Sequence, residues 1–234
     1  MAYGARVDET EFDIPAAMAE SVRSRAGAWA LVRGFAAYWG EPLGPDDGFT
    51  DSELDAAERR LGLRLPVALR EAYRLFGRRA DLTSSHDVLL TPDELHVEDG
   101  ALVYRAENQG CAHWGLPLDG LDREDPPTVF RLDLADKAQE RWEPWDERFS
   151  ASAAAMALME KLLEDHELTD FLDWDEELPD GLGELPALGR HFRWYQGPEV
   201  LVGVAEEAWV VVRARTPQAL DAFYGVVPGE SPDE

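Results

Sequence analysis

Positive charge is scarce in this chain. Over 234 residues Asp and Glu number 48 against 22 Lys and Arg, a formal charge of -26 at pH 7. Only two of the basic residues are lysines, Lys137 and Lys161. So acidic a surface repels a phosphate backbone, which argues against direct nucleic-acid binding, and an anionic bilayer is disfavoured on the same ground. Cysteine is nearly missing: Cys111 stands alone, so no intrachain disulfide framework exists. No apolar run reaches the roughly 20 residues that span a bilayer. The opening Met1–Ala5, followed by Asp8, Glu9 and Glu11, lacks the apolar core of a secretory signal. A cytoplasmic chain is expected. No His-Glu-x-x-His pair and no glycine-rich phosphate loop occurs.

What is present is core material. Hydrophobic residues make up 45% of the chain, with eight Trp and nine Phe. That fraction separates the protein from a disordered acidic tail. The scarcity of lysine leaves arginine to carry the positive charge. Its forked guanidinium pairs bidentately with carboxylates, so part of the nominal charge is expected in networks.

Apolar spacing predicts a first helix over 15–39, carrying Met18, Val22, Ala26, Trp29, Phe35, Ala36 and Trp39 on one side. The Gly- and Pro-rich stretch 40–48 ends it as a linker. Thr50 and Glu53 have the spacing of a capping box, and Gly62 ends the helix they open. Pro66 starts the next, with Leu69, Tyr73 and Phe76 inward and Gly77 at its end. The period then changes. Strands are expected at 88–90, 101–105, 111–116 and 128–132. A helix over 150–165 follows, with Ser150 as its cap. From Glu164 to Gly189 the chain reads as an acidic, Gly- and Pro-punctuated loop anchored by Phe171, Leu172 and Trp174. Strands return at 191–195, 200–204 and 208–213, the last two as a hairpin around Glu206–Glu207. Thr216 caps a final helix. The expected fold is α+β, a largely antiparallel sheet flanked by helices. The expected organisation is an N-terminal helical extension and linker (1–49), an α+β domain (50–228) and a flexible acidic tail (229–234).

Three segments of this pattern resemble the SUKH superfamily, the Smi/Knr-like proteins that include many bacterial immunity proteins. The first is Leu54–Phe76, LDAAERRLGLRLPVALREAYRLF, with Leu61, Gly62, Leu65 and Pro66 at the family's Leu-Gly and Leu-Pro. The second is Tyr104–Leu116, YRAENQGCAHWGL, in which Glu107, Asn108, Gln109, Gly110 and Trp114 match. The third is Asp125–Pro126 before a strand. Gly77–Arg78–Arg79 stands where the family commonly has Asn-Gly or Gly-Gly. The resemblance covers about residues 50–165. It implies a SUKH-like binding fold without catalytic residues or cofactor, acting on a protein partner such as a toxin or nuclease domain. The Glu-Asn-Gln-Gly segment is expected to be architectural, with Asn108 and Gln109 satisfying backbone groups in a turn.

Site chemistry follows from what converges. Cys111 and His113 alternate onto one strand face with Glu107 nearby, but zinc needs further ligands that are not evident. No metal, cofactor or catalytic residue is assigned. The acidic stretch is the binding candidate: Asp165, Glu167, Asp170, Asp173, Asp175, Glu176 and Glu177, with Trp174 as an aromatic anchor. Its carboxylates suit a basic partner. The leading reading is a non-enzymatic immunity-type protein that neutralises a basic toxin domain by occluding its surface. An intracellular regulator or scaffold for an endogenous partner, and a carboxylate- or metal-dependent hydrolase, are the alternatives.

Overall fold

A computed structural model describes residues 12–173, 178–205 and 209–226. The helical run expected over 15–39 is two helices, α1 (Ile14–Ser21) and α2 (Arg25–Trp39). Ser24 makes the break, its hydroxyl accepting from Gly27 N at 3.0 Å. Asp13 caps α1 in the same way, accepting from Ala16 N at 2.9 Å. Each satisfies a first-turn donor that has no partner within its helix. Gly27 makes the corner tight, since a Cβ there would lie 2.4 Å from the Glu20 carbonyl oxygen. Apolar spacing continues across both helices, so periodicity alone does not reveal the break.

α3 (Asp51–Leu61) and α4 (Val67–Phe76) follow, then the single turn α5 (Ala80–Thr83). The capping box at Thr50 and Glu53 is reciprocal: Thr50 Oγ1 accepts from Glu53 N and Glu53 Oε2 from Thr50 N. Gly62 closes α3 in the left-handed region, at φ +69°. Phe35, Trp39, Leu54, Leu69, Tyr73 and Phe76 all belong to one buried cluster. α2 therefore shares its core with the helices beyond residue 50.

The strands form two antiparallel sheets rather than one. In the first, β1 (Val88–Leu89) and β2 (His96–Glu98) both pair with one edge of β3 (Ala101–Ala106). β4 (Ala112–Pro117), β5 (Val129–Leu132) and β6 (Glu143–Pro144) complete it in that order. α6 (Phe149–Leu162) then runs through the middle of the protein, buried on almost every side. The second sheet has the order β7-β11-β10-β9-β8, from β7 (Thr169–Leu172), β8 (Gly183–Glu184), β9 (Phe192–Gly197), β10 (Val200–Ala205) and β11 (Trp209–Ala214). Alternation divides this sheet's faces. Leu201, Val211 and Trp194 join the core around α6. Val200, Val202, Val204, Val210 and Val212 pack with Phe223 of α7 (Pro217–Val226). Thr216 caps α7, accepting from Ala219 N at 3.2 Å. The Glu206–Glu207 turn and the 229–234 tail lie outside the described residues.

Candidate protein-binding surface

The first and third of the segments that carry the family resemblance meet at the entry to α6. The Glu58 carboxylate accepts from Leu65 N at 2.9 Å, fixing the Leu-Gly-Leu-Arg-Leu-Pro connection between α3 and α4. Ala68 N, in the first turn of α4, donates to Glu124 O at 2.8 Å. The next residue, Asp125, accepts from Ser150 N at 2.8 Å and from Ser150 Oγ at 2.6 Å. Pro126 O accepts from Phe149 N at 2.7 Å. Ser150 is thus inside α6 as a donor, not its cap. Arg148 stands at the cap position without a capping side-chain bond, and Asp125 does the work from 25 residues away.

The Glu-Asn-Gln-Gly turn is held by a different residue from those expected. Glu107 Oε2 accepts from Gln109 N at 2.9 Å and Cys111 N at 3.0 Å, while Gly110 takes φ +73°. The Glu107 carboxylate, and not the Asn108 or Gln109 amide, satisfies the turn. Asn108 Nδ2 lies 3.4 Å from His86 Nδ1.

Beside this turn a charge cluster is buried that sequence reasoning missed. A bulge in β3 between Val103 and Arg105 puts Tyr104 out of register with β4. Tyr104 and Arg105 both reach the inner side as a result. The Arg105 guanidinium lies 4.4 Å from the Trp114 ring and donates to Asp87 at 2.9 Å and Glu160 at 2.8 Å. Glu160 also accepts from His86 N at 2.6 Å and Asp87 N at 3.2 Å. Burial raises the Glu160 carboxyl above its ordinary range, against the pull of Arg105. The available signal was a charge inside an apolar run: Arg105 after Ala-Leu-Val-Tyr, and Glu160 after Met-Ala-Leu-Met. All three side chains are almost inaccessible to water, so the cluster binds β3, α6 and the approach to β1 to one another.

Ion pairing elsewhere consumes acidic residues on the helical side. Arg70 and Arg74 both reach Asp51 at 3.0 Å, and Arg70 chiefly holds its carboxyl below the ordinary range. Arg79 pairs with Asp47 and Asp81, and Lys161 with Asp81 and Glu164. The loop into β7 is different. Asp165, Glu167 and Asp173 are exposed and make no ion pair among the described residues. Asp170 Oδ1 accepts from Phe171 N at 2.7 Å, and its Oδ2 meets the Tyr224 hydroxyl of α7. Trp174, Asp175, Glu176 and Glu177 lie outside the described residues.

This acidic stretch was expected to be a loop, yet it contributes edge strand β7 to the second sheet, and β8 beyond it. Phe171 does not anchor it: its side chain is 56% exposed, the most of any large hydrophobic among the described residues. The bond from Ala214 N to Leu168 O sets the register with β11, so the N–H groups of Thr169 and Phe171 point away from that strand. His166 O and Asp170 Oδ1 already accept from them. A further strand would find both donors taken, so this edge offers side chains.

Among the described residues no three His, Cys, Asp or Glu side chains gather as a metal site requires, and no helix is long and apolar enough to cross a membrane. Comparison with protein-family models, curated proteins and solved structures gives no match.

Proposed function

We propose that this chain is a non-enzymatic, SUKH-like binding protein of the immunity kind, which neutralises a basic partner domain inside the cell by covering its surface. The observation that carries this reading is the acidic stretch around β7, in which Asp165, Glu167 and Asp173 make no ion pair among the described residues and Phe171 is exposed. Unpaired carboxylates speed encounter with a cationic surface and orient it, while an exposed aromatic ring supplies the desolvated contact that slows release. A toxin nuclease fits, because the cleft that takes its phosphate substrate is itself basic and would be filled by carboxylates. The meeting of the first and third family-like segments at the start of α6 supports the fold part of the reading, since it ties those two into one architectural unit.

The test mixes the protein with basic domains encoded by the neighbouring genes and follows binding by calorimetry at low and high salt. A complex that weakens steeply with salt, and survival of cells carrying both proteins, is the expected result. The variant Asp165→Asn/Glu167→Gln/Asp173→Asn should slow association about tenfold. Binding and protection indifferent to both salt and these substitutions would refute the reading. Recovery of an endogenous partner in place of the toxin would point to a regulator.

A further inference from the structure

The protein contains four cation–ring stacks among its described residues, and in each the cation is an arginine. Arg78 lies 4.2 Å from the Phe49 ring centre, Arg105 4.4 Å from Trp114, Arg131 5.0 Å from Trp142 and Arg215 4.0 Å from Tyr38. Every one of these guanidiniums is also paired with a carboxylate: Glu53, Asp87, Glu98 and Glu199 respectively. The recurring unit is a ring, a flat cation on its face and a carboxylate at the cation's edge. That geometry suits guanidinium, which stacks and forks at once, better than a compact ammonium.

Phe171 has the ring and the carboxylates without the cation. It stands exposed on β7 with no cation over it among the described residues. Asp173 follows two positions along, just past the end of the strand, exposed and in no ion pair among the described residues. Arg213 on the neighbouring strand does not supply the cation, because it is buried and directed at Thr169 and Glu164. We propose that this sheet face is the seat for an arginine side chain of the partner, its guanidinium laid on Phe171 and its fork held by Asp173. The inference rests on the acidic-platform reading and deepens it: the partner is recognised through arginine, not through positive charge in general.

The experiment is a 15N NMR titration of the whole chain at low ionic strength with two blocked peptides, Gly-Arg-Gly-Arg-Gly and its lysine counterpart. The expected result is shifts centred on residues 169–173 and about two- to fivefold tighter binding of the arginine peptide. Phe171→Leu keeps the apolar surface but removes the ring, and should equalise the two peptides. Phe171→Tyr should retain the preference, which separates loss of the ring from damage to the fold. Equal affinities in the unaltered protein, a preference that survives Phe171→Leu, or shifts centred elsewhere would each overturn the arginine seat. If both peptides bind equally at this face, the acidic platform stands and the seat falls. If neither binds, both fall.

Discussion

Arg105→Leu would leave two carboxylates without a cation in a site that water does not reach. Asp87 and Arg105 are each 7% exposed and Glu160 is 0% exposed. Among the described residues the guanidinium is the one cation bonded to both acids, through a single nitrogen at 2.9 and 2.8 Å. Removing one partner of such a cluster costs about 3–5 kcal/mol, because the charges left behind remain desolvated. Loss of the contact with Trp114 adds about 1 kcal/mol. Domains of this kind are stable by only about 5–15 kcal/mol, so the midpoint of urea unfolding should fall far. The pH dependence separates this cause from simple loss of packing. Glu160 is already raised by burial, and without Arg105 only the N–H groups of His86 and Asp87 oppose that push. A carboxyl raised in the folded state contributes stability that is fully present below its unfolded value and is lost as pH rises through the folded one. The variant's deficit should therefore be largest near neutral pH and shrink as pH falls toward the ordinary carboxylate range. Urea titrations followed by tryptophan fluorescence across that window measure it directly. A deficit under about 1 kcal/mol at neutral pH, or one that stays constant as pH falls, would refute the reasoning. Replacing Asp87 and Arg105 by apolar residues of similar volume and Glu160 by Gln, whose amide oxygen still accepts from a backbone N–H at 86 or 87, should restore most of the loss.

Two further predictions concern local structure. Gly27→Ala puts a methyl 2.4 Å from the Glu20 carbonyl oxygen, so α1 and α2 must separate. A loss of about 1–3 kcal/mol by chemical denaturation is expected, and a neutral result would show that the corner yields freely. Asp125→Ala removes both bonds to Ser150 at the start of α6. It should lose about 1–2 kcal/mol, with Asp125→Asn milder, and hydrogen exchange should rise first at the N-terminal end of α6.

How much of this was legible in the sequence depends on the range of the interaction concerned. The pair α3 and α4 is readable because Thr50, Glu53 and Gly62 act on backbone groups within four residues of themselves. β3, β4, β10 and β11 are readable because apolar and β-branched residues run through them. The corner between α1 and α2 is not, since Ser24 sits in a stripe whose spacing continues across it. β7 and β8 are not: a run of four residues becomes a strand only through β11, far along the chain, and one of two residues is too short to show alternation. Residue type points to Ser150 as the cap of α6 and to Asn108 and Gln109 as the turn's acceptors, whereas Asp125 and Glu107 fill those roles. In both cases residue type pointed to the right bond, but tertiary position chose the donor and the acceptor. The exposure of Phe171 was equally hidden, because an aromatic residue in an acidic stretch reads as an anchor until its position at a sheet edge is known.

By itself the sequence determined composition and local order: a strongly acidic chain rich in core residues, helices where short-range caps demand them and antiparallel strands where apolar residues alternate. Only the tertiary structure decided where charge is cancelled. It drew Arg105, Asp87 and Glu160 together from separate elements, neutralised the helical side with arginine, and left Asp165, Glu167 and Asp173 without an ion pair among the described residues. Ion pairing depends on distances across the fold, which the order of residues along the chain does not contain.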